Sequence, residues 1–468
     1  MGQICKECDR DQMFLLPPSM KEWLPEGHLA YFILDVVEQM DLSEILRHYE
    51  KNEDGTFKAS SGQPPFDPRM MTALLLYGYS QGIYSSRRMA RACEERLDFL
   101  ALTAMNRPDH RTINKFRRRH LSALSGLFVQ VLRLCQRAGM ADLGHVALDG
   151  TKIKANASRH KAMSYDRMLK TAPQLQAKVD SWLAAAEQVD ATEDAALGEA
   201  RGDEMPDWVA DKARRIAKIE EARAALEAEA KTDAEAKARA AAERAARKGK
   251  GGRKRKSGST QSAQAEGPSD PAPEPRPKDK AQRNFTDPES RIMKGPDGFL
   301  QGYNAQAAVD ARAQIIVAHG LSNCSADSGQ LEPMVKAIRV NTGRNPAQFS
   351  ADAGYCSDAN LAALDNQKIN AFVATGRQRH GQPAADGGTP AAAGSRVENM
   401  RTKLRKDGFD SPYRLRKQTV EPVFGQIKHA RGFRQFLLRG RDKVASEWAM
   451  ICTVHNLLKL AGNRLAPA

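Results

Sequence analysis

The sequence predicts an α/β protein, in which a mixed β-sheet flanked by helices follows an all-helical N-terminal domain and is interrupted by a long insertion. Three observations support this prediction. Apolar residues recur at helical spacing before residue 140, strand-like runs alternate with amphipathic helices in the last third, and a stretch rich in Ala, Glu, Lys and Arg lies between them. The chain has 468 residues, of which 41% are hydrophobic, which is enough for two or three domains with their own cores.

The N-terminal part consists of a tail, residues 1–17, and a helical domain, residues 18–140. The segments "GHLAYFILDVVEQM" and "RMMTALLLYGYSQGI" carry apolar residues at helical spacing. Asp109 precedes a third helical segment and is suited to cap its first turn. The basic residues of that segment either form a solvated face or present cations to DNA phosphates. These residues are Arg117, Arg118 and Arg119.

The predicted sheet begins after this domain. The run "HVAL" is strand-like, and the apolar residues of this run stop at Asp149. We place the sheet domain at residues 141–165 and 284–465 because strand patterns resume only after a long interruption.

The interruption has two parts of different composition. Residues 166–247 are rich in strong helix formers and predict a helical hairpin, since one unbroken helix would exceed roughly 100 Å. Residues 248–283 are rich in Gly, Ser, Pro and charge and include the block Arg253–Lys256, which is typical of a basic disordered linker.

The second part of the sheet domain alternates strands and helices. Two strand-like runs, Tyr303–Val309 and Gln314–Gly320, flank "DARA" and predict a hairpin. A helix in "SGQLEPMVKAIRVNTG", a strand ending at Asp352, a helix, the short strand "NAFVATGR" and a loose segment at residues 380–395 follow. Two closing helices, in "KQTVEPVFGQIKHARGFRQF" and "SEWAMICTVHNLLKLAG", complete the predicted domain.

The charge of the chain restricts its partners. There are 72 Lys and Arg against 57 Asp and Glu, a net charge of +15, which favours polyanions such as DNA, RNA or anionic membranes. No apolar run approaches the length of a membrane span, and 6% aromatic residues provide no strip for stacking single-stranded RNA. The sequence therefore favours double-stranded DNA and no membrane.

The cysteines indicate a reducing compartment. Seven scattered cysteines in a chain of this length fit a reducing cytoplasm better than a disulfide framework. Cys5 and Cys8 form one CxxC pair, but a structural zinc site needs four ligands and no second pair has suitable spacing. A reduced tail is the simpler interpretation.

Three carboxylates form the candidate chemical site. Asp149 and Asp352 each follow a predicted strand, and Glu421 lies on a closing helix. Each taken alone fits a solvated strand end or helix face. If the elements pack together, the three carboxylates converge, and oxygen-only ligands suit a pair of Mg²⁺ or Mn²⁺ ions that act on a phosphodiester.

Basic residues flank the three carboxylates. They either bind a phosphate backbone beside the metal ions or are ordinary solvated charges. The candidates are Lys152, Lys154, Arg416, Lys417, Lys428 and Arg434.

At these residues the sequence resembles bacterial insertion-sequence transposases of the DDE type, which have an RNase H-like catalytic core. The matching segments are "HVALDGTKIKANASRHKAMSY", "GYNAQAAVD", "SADAGYCS" and "YRLRKQTVEPVFGQIKHARGFRQFLLRG". The resemblance implies that Asp149, Asp352 and Glu421 are the catalytic, metal-binding residues. It also implies a signature of Tyr, Arg, Glu and Lys, which Tyr413, Arg416 or Lys417, Glu421 and Lys428 fill here.

The resemblance further implies an activity and its partners. Such an enzyme binds the terminal inverted repeats of its own mobile element through the helical N-terminal domain, cuts the DNA with two divalent ions and joins the freed ends to target DNA. A homodimer on DNA is expected. No covalent enzyme–DNA intermediate is needed, so Ser158 and Tyr165 are not nominated as nucleophiles. Asn304 and Asp310 are interpreted as supporting or turn residues.

Two alternatives remain at the level of sequence. A metal-dependent nuclease with the same core would use the same three carboxylates to cut DNA without joining it. A DNA-binding regulator with a decayed core would keep the basic surface alone, although the presence of all three carboxylates argues against it.

Overall fold

The structure is a computed structural model that describes most of the chain. The described residues are 19–50, 64–158, 161–197, 207–249, 275–295, 298–376 and 394–465. The predictions for the tail with Cys5 and Cys8, for the basic block Arg253–Lys256 and for most of residues 380–395 lie outside these ranges. The chain divides into two compact units: residues 1–156, 293–296 and 302–468 form the first, and residues 157–292 and 297–301 form the second.

Seven helices precede the sheet in the described part of the first unit. They are α1 (Leu29–Gln39), α2 (Ser43–Glu50), α3 (Pro68–Ser80), α4 (Ser86–Glu95), α5 (Leu97–Leu102), α6 (His110–Arg119) and α7 (Leu121–Arg137). The Asp109 carboxylate accepts a hydrogen bond from Thr112 N at 2.6 Å and caps α6, as predicted. Helix α3 is buried along most of its length, so these helices enclose their own apolar core.

A mixed sheet forms the centre of the first unit. Its strands are β1 (His145–Lys154), β4 (Arg291–Gly295), β5 (Gly298–Asp310), β6 (Ile315–Ser322), β7 (Gln348–Ala351) and β8 (Asn370–Val373), in the order β4-β5-β1-β7-β8 with β6 also paired to β5. Strands β5 and β6 form the predicted hairpin and are antiparallel to their neighbours, whereas β1, β7 and β8 are parallel to one another. The prediction of a mixed α/β architecture is confirmed.

The prediction that the first strand ends before Asp149 is wrong. Strand β1 continues to Lys154 and stays paired with β5 over that length. The apolar run ends at Leu148 for a different reason: β7 pairs with β1 only from His145 to Leu148. Beyond that point β1 has one neighbour instead of two, so its side chains no longer need to be apolar.

The remaining helices of the first unit pack around this sheet. They are α10 (Leu331–Thr342), α11 (Asp358–Asn366), α12 (Arg396–Asp407), α13 (Leu415–Gly425) and α14 (Arg441–Leu465). Helix α13 lies against β1, and α14 packs on β6 and α7 and so joins the sheet to the N-terminal helices. The described part of the chain has no helix that is both long and apolar enough to cross a membrane.

The second unit contains the predicted hairpin of helices. Helices α8 (Tyr165–Leu197) and α9 (Asp207–Gly249) pack against each other, and the short strands β2 (Ala162–Ser164) and β3 (Gln282–Asn284) pair beside them. A small apolar cluster holds the helices together. Its buried members are Met163, Tyr165, Met168, Ala172, Ile219, Ala222 and Leu226.

Candidate active site

The two aspartates predicted from the sequence lie next to each other. In the parallel pair of β1 and β7, Leu148 is opposite Ala351, so the following residues, Asp149 and Asp352, are neighbours on the same face. The backbone fixes both carboxylates. Asp149 Oδ1 accepts from Gly150 N at 2.8 Å, and Asp352 Oδ1 accepts from Gly354 N at 2.9 Å.

Burial raises the pKa of both carboxylates. Burial raises the pKa of Asp149 to about 6; Arg416 opposes this rise, and Asp352 adds to it. Burial also raises the pKa of Asp352, against the effects of Arg416 and Gly354 N. Two like charges held together in a poorly solvated place favour the binding of cations.

The cation that the fold places here is Arg416, on α13. Its Nη1 donates to Asp149 Oδ2 at 2.8 Å, and its Nη2 lies 3.7 Å from Glu421 Oε1. The Arg416 side chain is 9% exposed, whereas the Glu421 side chain is 54% exposed. The guanidinium therefore lies between the carboxylate of Asp149 on β1 and the carboxylate of Glu421 on α13.

A second cation reaches the same strand from the end of α13. Residues Gln426–Ala430 form one π-helical turn that continues α13. From this turn the Lys428 ammonium donates to Thr151 Oγ1, and to Lys152 O at 3.0 Å. Lys428 thus fixes the C-terminal segment of α13 to the part of β1 that has a single neighbouring strand.

The acidic residues have the chemistry of a divalent-ion site. Asp149, Asp352 and Glu421 supply oxygen ligands only, which suit Mg²⁺ or Mn²⁺. Among the residues that the structure describes, no three His, Cys, Asp or Glu side chains are already grouped closely enough to hold a metal ion.

Two family models match the chain. The model described as Transposase domain (DUF772) matches residues 18–119, and the model described as Transposase DDE domain matches residues 389–461. These two segments are therefore similar to transposases, and the second is similar to their DDE domain. No curated protein and no solved structure matches the chain. The second match includes Arg416, Glu421 and Lys428 but neither aspartate, so the position of the aspartates beside this segment comes from the structure.

The cations predicted to bind DNA occupy different environments. Lys154, Lys417 and Arg434 are exposed beside the candidate site, and Arg118 and Arg119 are exposed on α6. Lys152 instead forms an ion pair with Asp327, in which its side chain is 16% exposed.

The prediction that Arg117 contacts DNA is not supported by its position. Arg117 is 4% exposed, and its Nη1 donates to Tyr84 O at 3.0 Å and to Tyr79 Oη at 3.3 Å. Consecutive residues on a helix point in different directions, and the packing of α6 turns Arg117 inward while Arg118 and Arg119 stay exposed. Arg117 therefore supports the packing of the N-terminal helices.

A basic groove that the sequence did not reveal lies on the N-terminal helices. It has a volume of about 900 Å³ and is formed mainly by α4 and α6, with one lysine from α14. Its cations are Arg87, Arg111, Lys115, Arg118, Arg119 and Lys443. The arginines of "SRRMARACEE" on α4 were the sequence signal that could have indicated it.

A polar cluster beside the two aspartates was predicted only in part: Asn304 was interpreted as a supporting residue, whereas Gln306, Asp327 and Tyr355 were missed. Asn304 and Gln306, which are fully buried on β5, donate to Asp327 Oδ1 at 2.6 and 2.9 Å. Tyr355 donates to Gln306 Oε1, and Lys152 completes the cluster. Asp310, by contrast, accepts from Leu143 N and Arg312 N at the hairpin, in agreement with its interpretation as a turn residue.

Proposed function

We propose that this transposase cuts the ends of its mobile element and joins them to target DNA at the site formed by Asp149, Asp352 and Glu421. The observation that carries this proposal is the adjacency of Asp149 and Asp352 on parallel strands, with Arg416 between Asp149 and Glu421. Residues far apart in the sequence thus supply acidic ligands and a compensating cation to one end of the sheet.

The strand arrangement supports an RNase H-like catalytic core. The order β6-β5-β1-β7-β8, with the hairpin antiparallel and the other strands parallel, is the arrangement that such a core requires. The N-terminal helices and their basic groove are proposed to bind the terminal inverted repeats, because six cations line one surface. Since both ends of the element must be brought together, we propose that two subunits act on one pair of ends.

Two divalent ions, Mg²⁺ or Mn²⁺, are proposed to bind the three carboxylates. Such ions activate an attacking oxygen and stabilise a leaving oxygen at a phosphodiester. The protein itself orients the ligands: Gly150 N and Gly354 N hold one oxygen of each aspartate, and Lys428 fixes the end of α13 to β1. Arg416 and the exposed Lys417 and Arg434 are proposed to hold the phosphate backbone beside the carboxylates.

A plasmid assay tests the proposal. The purified protein is incubated with Mg²⁺, a donor plasmid that carries the DNA flanking its reading frame and a target plasmid. We expect cleavage at the element ends and a joined product, and we expect both to be lost in Asp149→Ala, Asp352→Ala and Glu421→Ala. Cleavage at the element ends without a joined product would favour a nuclease. Absence of metal-dependent cleavage in the wild-type protein, with DNA binding retained, would favour a regulator.

A further inference from the structure

The carboxylate of Asp327 connects two strands at the candidate active site. Asp327 lies before α10, and its Oδ1 accepts hydrogen bonds from two amides of β5, Asn304 and Gln306. The ammonium of Lys152, on β1, lies 3.3 and 3.4 Å from its two oxygens. None of the sequence motifs indicated Asp327.

The orientation of the two amides is fixed around Asp327. Asn304 also donates to Cys324 O at 3.2 Å, while its buried Oδ1 has no hydrogen-bond partner in the described part of the chain. Tyr355 donates to Gln306 Oε1, so the Gln306 NH₂ group must face Asp327. Both amides therefore present N–H donors to the carboxylate.

The cluster adjoins the catalytic aspartates at two glycines. A Cβ at Gly150 would lie under 3.0 Å from atoms of Asn304, Gln306 and Asp327. A Cβ at Gly354 would lie 3.1 Å from Asp352 Oδ1 and 3.5 Å from Asp327 Oδ2. The carboxylates of Asp327 and Asp352 thus border the same small space.

The Lys152 ammonium interacts electrostatically with the carboxylates of both Asp327 and Asp352. Beyond the effect of burial, Lys152 lowers the pKa of Asp352 and Asp327 raises it, so all three charges interact. The ion pair of Lys152 in the described residues is nevertheless with Asp327. An ammonium on a flexible stem pairs with the nearest uncompensated carboxylate. Without the Asp327 charge, that carboxylate would be Asp352.

We propose that Asp327 is a positioning residue of the active site, which holds the Lys152 ammonium away from Asp352 and so leaves the Asp352 oxygens free to bind a metal ion. This inference rests on the proposed function. Asp327 acts by holding Lys152 and makes no contact with the substrate.

Chemical labelling tests the ion pair without any activity measurement. The folded protein is treated with an amine-acetylating reagent, and the modification rates of Lys152 and Lys154 are followed by mass spectrometry. Lys154 is exposed and serves as the internal reference. We expect Lys152 to react more slowly than Lys154 in the wild-type protein. In Asp327→Asn its reactivity should change several-fold while that of Lys154 stays constant. Equal Lys152 rates in the two proteins would overturn the proposal.

A pair of substitutions tests the role in the reaction. Asp327→Asn should lower the cleavage rate by about 10- to 100-fold, the usual effect of losing a group that orients a metal ligand, with little change in DNA affinity. Adding Lys152→Met to this variant should restore most of the lost rate, because the competing ammonium is then absent. A purely structural Asp327 would make the double variant no faster than Asp327→Asn, and that result would refute the proposal.

Glu332→Gln is the matched control. Glu332 is an exposed acid in the first turn of α10, and its substitution removes the same charge close by in the sequence. It should retain the wild-type rate. These experiments also distinguish failure of the role proposed for Asp327 from failure of the proposed function. An inactive wild-type protein refutes the function, whereas an active wild-type protein with an equally active Asp327→Asn variant refutes only the role of Asp327.

Discussion

The guanidinium of Arg416 lies 2.8 Å from the carboxylate of Asp149, although 267 positions separate the two residues in the chain. This pair joins α13 to β1 at the point where β1 loses its second neighbouring strand. Because the Arg416 side chain is 9% exposed, the pair is largely shielded from water and its interaction is little weakened by salt.

Removing this cation should affect both stability and activity. In Arg416→Met, Asp149 would lose the cation that opposes its raised pKa in a poorly solvated place beside Asp352, so we expect a loss of about 3 kcal/mol in the free energy of unfolding. Arg416→Lys should recover part of the stability but little cleavage, because one ammonium cannot contact two carboxylates as a guanidinium does. Urea denaturation and the plasmid assay measure the two effects.

Lys417→Met is the control for Arg416, since it removes the same charge from the adjacent, exposed position. It should leave stability nearly unchanged. If Lys417→Met abolished cleavage while Arg416→Met did not, Lys417 would be the cation of the family signature.

Gly150 should tolerate no side chain. In Gly150→Ala the new Cβ would meet Asn304, Gln306 and Asp327, which are fixed by their hydrogen bonds. We expect a loss of about 1 to 3 kcal/mol in stability from overpacking, together with reduced cleavage. Differential scanning calorimetry and the plasmid assay give the two readouts.

Gly126→Ala should have the opposite effect and increase the stability of the protein. Gly126 lies in α7 and a Cβ there meets nothing within 4 Å. Alanine should stabilise the helix by about 0.5 to 1 kcal/mol. Equal effects of the two glycine substitutions would contradict the packing argument at Gly150.

His455 should make the protein sensitive to acid. Its Nε2–H donates to Gln314 O at 2.9 Å, and its Nδ1 accepts from Arg431 Nη2 at 3.1 Å, so only the neutral ring fits. Burial, and then Arg431, lowers its pKa to about 3.

The sign of the effect follows from this lowered pKa. Above pH 6.5 the His455 ring is neutral in both the folded and the unfolded state. Between pH 6.5 and the folded pKa of about 3, the ring binds a proton only in the unfolded state. Stability is thus lost by about 1.4 kcal/mol per pH unit as the pH falls from about 6 towards the folded pKa. His455→Gln should be less stable at pH 7.5 but should show a shallower acid slope in urea denaturation. Parallel slopes would rule out His455 as the source.

The basic groove and the buried arginine should respond differently to substitution. Arg118→Gln should weaken DNA binding and reduce the log–log slope of affinity against salt by about 0.9 if Arg118 neutralises one phosphate. Arg117→Gln should instead destabilise the fold, because it removes the hydrogen bonds to Tyr84 O and Tyr79 Oη. Filter binding at several salt concentrations and thermal unfolding distinguish the two residues. A salt-independent affinity would exclude an electrostatic role for the groove.

The sequence by itself determined the order of the elements and the acidic residues. The hairpin of β5 and β6, the cap of α6 by Asp109 and the helices α8 and α9 follow from short-range patterns, because period, capping and turn chemistry are local. Asp149, Asp352 and Glu421 could be named because a resemblance to known transposases pointed to their motifs.

Only the tertiary structure decided which charges meet. Arg117 and Arg118 are equivalent in the sequence, but helix packing buries the first and exposes the second. Asp327 has no local signal, since its partners come from β1 and β5. Strand β1 continues past Asp149 because β5 pairs with it there. The sequence did not indicate this continuation, because the apolar run ends at Leu148. Side-chain partners are set by contacts between distant segments, and these depend on the packing of the whole unit.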